Sequence, residues 1–251
     1  MKKLAIFDLD GTLAESKQAL SKDVGDWLGK LLDICHVAVI SGGAWPQFEK
    51  QLLANLPAGE HLRRLSLLPT SGTRFLSYDG AWRQIYAEDF TQEQKTKIIA
   101  ALNDVFQASG YAPAKHWGEL IEDRGSQITL SALGQEAPLD AKKSWDPDFS
   151  KRRDLKAKLQ PLLPEFSIGM GGSSSIDITR PGVDKAYGIG KLKEVLGFDI
   201  ADMLFVGDAL FEGGNDYPAR RTGVTCIQVA GPSETQKVIE AIVGWEGPDA
   251  A

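Results

Sequence analysis

The stretch MLFVGDALFEGGND, residues 203–216, joins an apolar run to an aspartate, and a Gly-Gly turn to a second aspartate. The run Met203–Gly207 predicts a short buried strand, so Asp208 stands at that strand's carboxyl end. The second aspartate has an ordinary explanation, because Asn215 or Asp216 can serve as the N-cap of a following helix. The aspartates can equally be ligands or catalytic groups, and the rest of the chain must decide between the two interpretations.

Composition excludes several classes of partner. The chain has 251 residues, of which 43% are hydrophobic and 25% charged, as in ordinary globular proteins. Its net charge of −6 argues against binding to nucleic acid or to a membrane surface. We find no apolar run that could span a membrane, and the one near the N-terminus, Leu4–Phe7, is too short for a secretory signal. Cys35 and Cys226 lie far apart in apolar contexts, so we expect reduced thiols and a cytoplasmic protein.

Strands and helices alternate at both ends of the chain. This alternation predicts a parallel sheet that is covered by helices on both faces. In such sheets, ligands bind beyond the carboxyl ends of the strands. The predicted elements are strand Lys3–Asp8, helix Ser21–Asp33, strand His36–Ser41, helix Gln47–Asn55, strand Arg64–Pro69, helix Ala186–Leu196, strand Met203–Gly207, helix Tyr217–Thr222, strand Thr225–Val229 and helix Glu234–Val243.

The middle of the chain follows a different pattern. Short strand-like runs there are joined by turns, which is typical of an antiparallel α+β module. We therefore predict a core formed by residues 1–82 and 183–251, with a module of residues 83–182 inserted in it. The elements predicted for the middle are a hairpin over 75–87, a helix from Thr91 to about Ser109 with Gln94 placed for a capping box, strands Leu120–Asp123 and Gln127–Leu133, helix Ser150–Leu163, and strands Phe166–Met170 and Ser175–Thr179.

Polar residues recur where the predicted core strands end. The first strand runs into FDLDGT, which contains Asp8 and Asp10, and the second runs into VISGG, which contains Ser41. Lys185 stands just before a helix on the same edge, and Asp208 follows the late strand. Each residue has a local alternative, such as a turn former, a helix cap or a solvated lysine. Their common position at one edge of the sheet favours a functional site.

These motifs resemble, in order, the four motifs of the haloacid-dehalogenase (HAD) superfamily of phosphotransferases: DLDGTL, VISGG, the isolated Lys185 and GDALFEGGND. Within that superfamily the chain is most similar to the eukaryotic-type phosphomannomutases, which share the Gly-Gly-Asn-Asp of the fourth motif and the segment GGSSSIDITRPGVDK. The similarity covers nearly the whole chain. It implies an α/β fold with a Rossmann-like parallel-sheet core and an inserted α+β cap of type IIB, which contains an antiparallel sheet and helices.

Phosphoryl transfer explains why the core site is rich in carboxylates. Asp8 would attack phosphorus and form an aspartyl phosphate. Two carboxylates and a phosphate dianion repel one another, so a hard cation such as Mg²⁺ is required. The resemblance implies that Mg²⁺ is bound by the Asp8 carboxylate, the Asp10 backbone carbonyl and the Asp208 carboxylate. Asp216 would hold metal-bound waters or the lysine.

The other core residues would bind phosphate and move a proton. The Lys185 ammonium would neutralise Asp8 and the phosphate, and the Ser41 hydroxyl would donate to a phosphoryl oxygen. Asp10 lies two residues after Asp8, so it starts on the same side of the strand and can protonate the leaving oxygen. A dehalogenase has no use for such an acid, so Asp10 favours phosphate-ester chemistry.

The inserted module would bind the rest of a small phosphosugar substrate. The mutases surround the distal phosphate with several arginines, and this chain departs from that pattern because Gln135 replaces one of them. The resemblance also leaves room for a homodimer formed through the cap. The substrate-binding residues that it implies are Arg124, Lys142, Lys17, Ser175 and Asp177.

Two enzymatic functions carry comparable weight on the sequence alone. A hexose phosphomutase would pass the phosphoryl group of Asp8 to a sugar hydroxyl, and a sugar-phosphate phosphatase would pass it to water. Two non-enzymatic functions are remote alternatives. A phospho-receiver has no inserted module and is about half as long, and a sugar-phosphate-binding relative would not need every catalytic position filled.

Overall fold

The computed structural model describes residues 2–246 and divides them into two compact units. One unit contains the residues up to Ala87 together with those from Val183 onward, and we call it the core. The other unit, Glu88–Gly182, is the cap. None of the helices within 2–246 has the length and hydropathy of a membrane span.

The chain forms the following strands and helices. The strands are β1 Leu4–Asp8, β2 His36–Ile40, β3 Leu65–Leu68, β4 Arg74–Tyr78, β5 Trp82–Ala87, β6 Ile121–Asp123, β7 Ile128–Ser131, β8 Ser167–Gly171, β9 Ser175–Thr179, β10 Met203–Gly207 and β11 Thr225–Gln228. The helices are α1 Lys22–Ile34, α2 Trp45–Gln51, α3 Gln92–Ala108, α4 Leu139–Trp145, α5 Ser150–Leu159, α6 Lys185–Leu196, α7 Tyr217–Arg220 and α8 Pro232–Glu246.

The core contains a seven-stranded sheet in the order β11-β10-β1-β2-β3-β4-β5. The first five strands in this order run parallel, and the β4–β5 hairpin continues the sheet in antiparallel register. The central strand β1 is buried along its whole length, as expected for a continuous apolar run between two neighbours. The carboxyl ends of β1, β2 and β10 therefore lie side by side at one edge of the sheet.

Helices cover both faces of this sheet. Along β1, Ala5 and Phe7 pack in a hydrophobic cluster with residues of α1, α2 and α8, whereas Leu4 and Ile6 pack in a second cluster with residues of α6 and α7. This alternation follows from the two-residue period of a strand. The structure thus has the predicted α/β architecture, and the fold class predicted from the sequence is confirmed.

The cap contains a four-stranded antiparallel sheet in the order β6-β7-β9-β8. Its apolar face packs with α3 and α5, and the side chains that do so include Ile128, Leu130, Ile176 and Ile178. Helix α3 begins with the predicted capping box, in which Thr91 and Gln94 each accept a hydrogen bond from the other's backbone N–H. The alternate residues of β7 and β9 are polar and lie on the opposite face of the sheet.

Apart from small shifts in the ends of elements, three features differ from those predicted from the sequence. The cap begins after Ala87, not at residue 83, because the whole hairpin up to Ala87 pairs within the core sheet. Helix α4 was not predicted, since it is only seven residues long and follows Pro138. The predicted helix Gln47–Asn55 is split, because α2 ends at Gln51 and a separate 3₁₀ turn covers Leu53–Asn55.

Candidate active site

The carboxyl ends of β1, β2 and β10, with the polar residues that follow them, form what we call the polar edge of the core sheet. The carboxylate of Asp8 lies at its centre. Asp8 ends β1 and is 2% exposed. The Lys185 ammonium donates to Asp8 Oδ1, donates to the Ile40 carbonyl at 2.7 Å, and lies 3.4 Å from Asp216 Oδ1. The core sheet therefore brings Asp8, Lys185 and Asp216 into one buried ion-pair network.

Lys185 is held at an electrostatically unusual position. It is the first residue of α6, where the helix dipole disfavours a cation, and it is 2% exposed. Burial lowers the pKa of Lys185, but the Asp8 and Asp216 carboxylates outweigh burial and raise it. The lysine is thus charged because of its carboxylate neighbours, and the alternative of a solvated surface lysine is excluded.

Asp216 occupies the position before α7, but its side chain does not cap that helix. Its side chain makes no capping hydrogen bond to α7, and instead Oδ2 accepts from the Ala209 backbone N–H at 3.1 Å. Asp216 is 0% exposed, so its charge is buried near Asp8 and Lys185. The N-cap interpretation of this second aspartate is therefore wrong, and the residue belongs to the polar edge.

Asp208 completes a group of three carboxylates. Ligand oxygens of Asp8, Asp208 and Asp216 lie within 4.8 Å of one another. Thr12, which was not singled out in the sequence, donates from Oγ1 to Asp208 Oδ1 at 3.3 Å. Gly11 has a φ of +84°, and a Cβ there would lie 2.7 Å from Asp208 Oδ2, so the turn after β1 requires glycine.

The three carboxylates carry more negative charge than the lysine neutralises. Burial, together with the Asp216 and Asp208 carboxylates, raises the pKa of Asp8 to about 7, against the Lys185 ammonium, which lowers it. Burial and the Asp216 carboxylate also raise the pKa of Asp208. Asp8 Oδ2 and Asp216 Oδ1 are buried and accept no hydrogen bond. Hard oxygen donors with excess negative charge fit a divalent cation.

Asp10 and Ser41 lie on the turns that follow β1 and β2. The Ser41 hydroxyl accepts from the Gly43 backbone N–H at 3.0 Å, and Ser41 is 3% exposed. The Asp10 carboxylate accepts from the Lys17 backbone N–H at 2.7 Å and from the side-chain amides of two α2 residues, Gln47 and Gln51. The sequence did not point to these two glutamines, although their four-residue spacing places them on one side of the helix that follows Ser41.

The polar face of the cap sheet places several predicted substrate-binding residues in rows. Register aligns Glu122 with Thr129, and Thr129 with Asp177. Thr129 Oγ1 donates to Asp177 Oδ1 at 2.7 Å, and in the next row the Ser175 hydroxyl lies 3.0 Å from that of Ser131. Ser175 and Asp177 thus lie on the same face of β9.

The two predicted cationic residues of the cap, Arg124 and Lys142, have carboxylate or carbonyl partners within it. Arg124 donates from Nε and from an Nη to Glu122 Oε2, at 2.9 and 2.7 Å. The Lys142 ammonium is buried and donates to the Gln135 carbonyl at 2.9 Å. The side-chain Nε2 of Gln135 is itself buried without a hydrogen-bond partner. The side chain of Lys17, which lies in the core unit, is exposed.

The buried carboxyl group of Asp177 should make the thermal stability of the protein depend on pH. Burial raises the pKa of Asp177, against Arg124 and the hydrogen bonds from Thr129 and Gln127. When the pKa of a carboxyl group is higher in the folded than in the unfolded protein, its ionisation lowers the free energy of unfolding at pH values above the unfolded-state pKa. At pH values where the group is protonated in both states, it has no such effect. We therefore expect Asp177→Asn to raise the Tm at pH 7.5 and to leave it unchanged near pH 3.5.

Thermal unfolding at the two pH values measures this effect. Asp104→Asn serves as the control, since Asp104 is an exposed residue of α3. A gain for Asp177→Asn that is the same at both pH values would contradict the electrostatic explanation.

Comparison with known proteins agrees with these features. Residues 83–244 match the model of the eukaryotic phosphomannomutase family. A phosphomannomutase of Encephalitozoon cuniculi is 25% identical over 255 residues, covering 95% of this chain and 93% of its own. That of Saccharomyces cerevisiae is 25% identical over 245 residues, covering 94% and 92%.

Solved structures show the same fold at low sequence identity. A haloacid dehalogenase-like hydrolase from Bacteroides thetaiotaomicron aligns with a TM-score of 0.64 at 15% identity, covering 96% of this chain and 100% of its own. An N-terminally truncated IMP-nucleotidase of Plasmodium falciparum gives a TM-score of 0.69 at 15% identity, covering 96% and 70%. Because the family model spans well over half of the residues, the chain belongs to the eukaryotic phosphomannomutase family of phosphotransferases, and it shares the fold of a haloacid dehalogenase-like hydrolase.

Proposed function

We propose that the protein transfers phosphoryl groups on hexose phosphates through an aspartyl phosphate on Asp8, and interconverts hexose 6-phosphate and hexose 1-phosphate. The observation that carries this proposal is the buried Asp8 carboxylate, held by Lys185 beside Asp208 and Asp216, in a chain of the phosphomannomutase family. The substrate is a small phosphosugar.

The reaction would use the residues at the edge of the core sheet. An oxygen of Asp8 attacks phosphorus, the bond between phosphorus and the sugar oxygen breaks, and Asp10 gives its proton to the departing oxygen. In the second step Asp10 takes the proton from an acceptor hydroxyl, and that oxygen takes the phosphoryl group from Asp8. Lys185 would supply fixed positive charge for the phosphoryl oxygens, and the hydroxyl of Ser41, which follows the adjacent strand β2, would donate to one of them.

We include Mg²⁺ in this proposal because the residues fit it. The Asp8 carboxylate, the Asp10 backbone carbonyl and the Asp208 carboxylate would hold the ion, with Asp216 close to Asp8 and Asp208. The ion would supply charge neutralisation for an in-line transfer. Asp8 must be ionised to attack, and burial, which raises its pKa, opposes that ionisation. A bound cation favours the ionised carboxylate. The same ion would therefore neutralise the excess negative charge and keep Asp8 in the form that can attack phosphorus.

Hydrolysis is the second candidate, and one observation in the cap favours it. A mutase must hold a bisphosphate while the sugar reorients, which requires strong binding of the distal phosphate. Gln135 contributes no charge, and Lys142, which lacks arginine's planar fork, donates to the Gln135 carbonyl. Weaker distal binding would let water compete for the phosphoryl group.

The partition of products tests the proposal. The protein is incubated with mannose 6-phosphate or glucose 1-phosphate and Mg²⁺, with and without hexose 1,6-bisphosphate, and isomer and inorganic phosphate are both measured. The proposal predicts isomer without stoichiometric phosphate. Phosphate without isomer would replace the mutase by the phosphatase, and no reaction with any hexose phosphate would refute both.

Arg124 provides a test of substrate binding by the cap. Its guanidinium is fixed by Glu122 and is 11% exposed, so it is an ordered donor for a distal anion. A charge-assisted hydrogen bond contributes about 1.5–3 kcal/mol, so we expect Arg124→Ala to lower kcat/KM for a hexose bisphosphate by roughly 10- to 150-fold. With 4-nitrophenyl phosphate, which has no distal group, kcat/KM should change little.

The two substrates separate binding from misfolding. Equal losses on both would mean that the change disturbs the cap as a whole. Unchanged kcat/KM for the bisphosphate would remove Arg124 from the substrate site.

A further inference from the structure

Two glutamines on one side of α2 hold the carboxylate of Asp10. Gln47 donates from Nε2 to Asp10 Oδ2 at 2.6 Å, and Gln51 donates from Nε2 to Asp10 Oδ1 at 3.2 Å. Residues four apart in a helix lie one above the other, so both amides reach the same side chain. Each oxygen of the carboxylate therefore has its own amide donor.

The loop after β1 adds a third donor. The Lys17 backbone N–H donates to Asp10 Oδ1 at 2.7 Å, and Lys17 has a φ of 58°, in the left-handed region that non-glycine residues seldom occupy. Gln51 also donates to the Gln18 carbonyl at 2.8 Å and is 3% exposed. The loop and α2 thus converge on Asp10 from two directions and restrict its orientation.

Gly43, two residues before α2, leaves room for the Gln47 side chain. A Cβ built on Gly43 would lie 2.2 Å from Gln47 Oε1 and 2.6 Å from its side-chain carbon. Gly43 does not have a positive φ, so alanine there is compatible with the backbone. Any side chain at position 43 must therefore displace the Gln47 amide, while the fold can remain.

We propose that Gln47 and Gln51 are positioning residues for Asp10, and that Gly43 makes this arrangement sterically accessible. The proposal rests on the function proposed above, in which Asp10 gives its proton to the departing sugar oxygen. An acid of this kind must be aimed at one oxygen, because a displacement on the order of 1 Å can cost about 10²-fold in rate. Neutral amides aim the carboxyl group without adding a cation that would form an ion pair with it.

The dependence on the leaving group tests this proposal. Single-turnover cleavage, with enzyme in excess, is measured for mannose 6-phosphate and for 4-nitrophenyl phosphate. A sugar oxygen needs a proton to depart and nitrophenolate does not. Gln47→Leu and Gln51→Leu should each lower the rate with mannose 6-phosphate roughly 10-fold more than the rate with 4-nitrophenyl phosphate. This differential is a fraction of the ~10²–10⁴-fold acceleration that a general acid contributes.

Gly43→Ala is the decisive variant, because it displaces the Gln47 amide and leaves every proposed catalytic side chain in place. It should shift the ratio of the two rates in the same direction as Gln47→Leu. Glu49→Gln, an exposed position of the same helix, should leave the ratio unchanged. A merely structural defect would lower both rates by the same factor, and that result in Gln47→Leu and Gly43→Ala would overturn the proposal.

Asp10→Asn distinguishes this inference from the function on which it rests. If Asp10→Asn changes the ratio of the two rates and the glutamine variants do not, Gln47 and Gln51 do not position Asp10, whereas the role of Asp10 as the acid is supported. If Asp10→Asn lowers both rates equally, Asp10 is not the acid, and the proposed function fails at that step.

Discussion

Asp8→Asn is expected to abolish turnover of every phosphate ester. Asparagine is nearly the same size as aspartate but is no nucleophile toward phosphorus, so no phosphoenzyme can form at the end of β1. Losses after removal of a nucleophile reach about 10⁶-fold in other enzymes, and we expect kcat to fall on the order of 10⁴-fold or more. Steady-state assays with a hexose phosphate and with 4-nitrophenyl phosphate measure the loss.

The same variant also removes the carboxylate that accepts from the buried Lys185 ammonium, so its fold must be checked separately from its activity. A melting curve therefore separates the loss of chemistry from unfolding. Turnover within tenfold of the parent enzyme in a folded Asp8→Asn protein would show that Asp8 is not the nucleophile.

Asp208→Ala should cause the second large effect, a loss of both activity and Mg²⁺ dependence. Asp208 follows β10, and its oxygens lie within 4.8 Å of ligand oxygens of Asp8 and Asp216. A catalytic cation contributes several kcal/mol, so the rate at saturating Mg²⁺ should fall by at least roughly 10²- to 10³-fold. Activity is measured as a function of Mg²⁺ concentration in the parent and the variant.

Glu212→Ala provides the matched control, because Glu212 is an exposed carboxylate in the same loop. It should leave the Mg²⁺ titration unchanged. Full activity of the parent enzyme in excess chelator, or a normal Mg²⁺ response in Asp208→Ala, would refute a cation site at these carboxylates.

The edge of the core sheet could be predicted from the sequence because strand geometry determines it. Parallel strands end on one side, so Asp8, Ser41 and Asp208 had to lie near one another once β1, β2 and β10 were recognised as neighbours. Lys185 was harder to place, because a lysine at a helix start is normally exposed. Its burial is explained by the two buried carboxylates beside it, Asp8 and Asp216, which neutralise its charge.

Contacts between distant side chains could not be predicted in the same way. Gln47 and Gln51 meet Asp10 across about 40 residues of sequence, and their pairing depends on how α2 packs after Ser41. The limit of the cap was misplaced for a related reason. Half of the residues of β5 are exposed, so its sequence lacks the apolar run of a core strand, and only its pairing with β4 assigns it to the core.

Trapping of the phosphoryl group is the most direct test of phosphoryl transfer through Asp8. The enzyme is mixed with hexose 1,6-bisphosphate and Mg²⁺ in a rapid-quench instrument, stopped in acid, digested with pepsin and analysed by mass spectrometry. We predict one phosphorylated peptide, with the phosphoryl group on Asp8 and none in Asp8→Asn. A phosphoryl group on any other residue, or transfer that proceeds without a phosphoenzyme at any quench time, would contradict the mechanism.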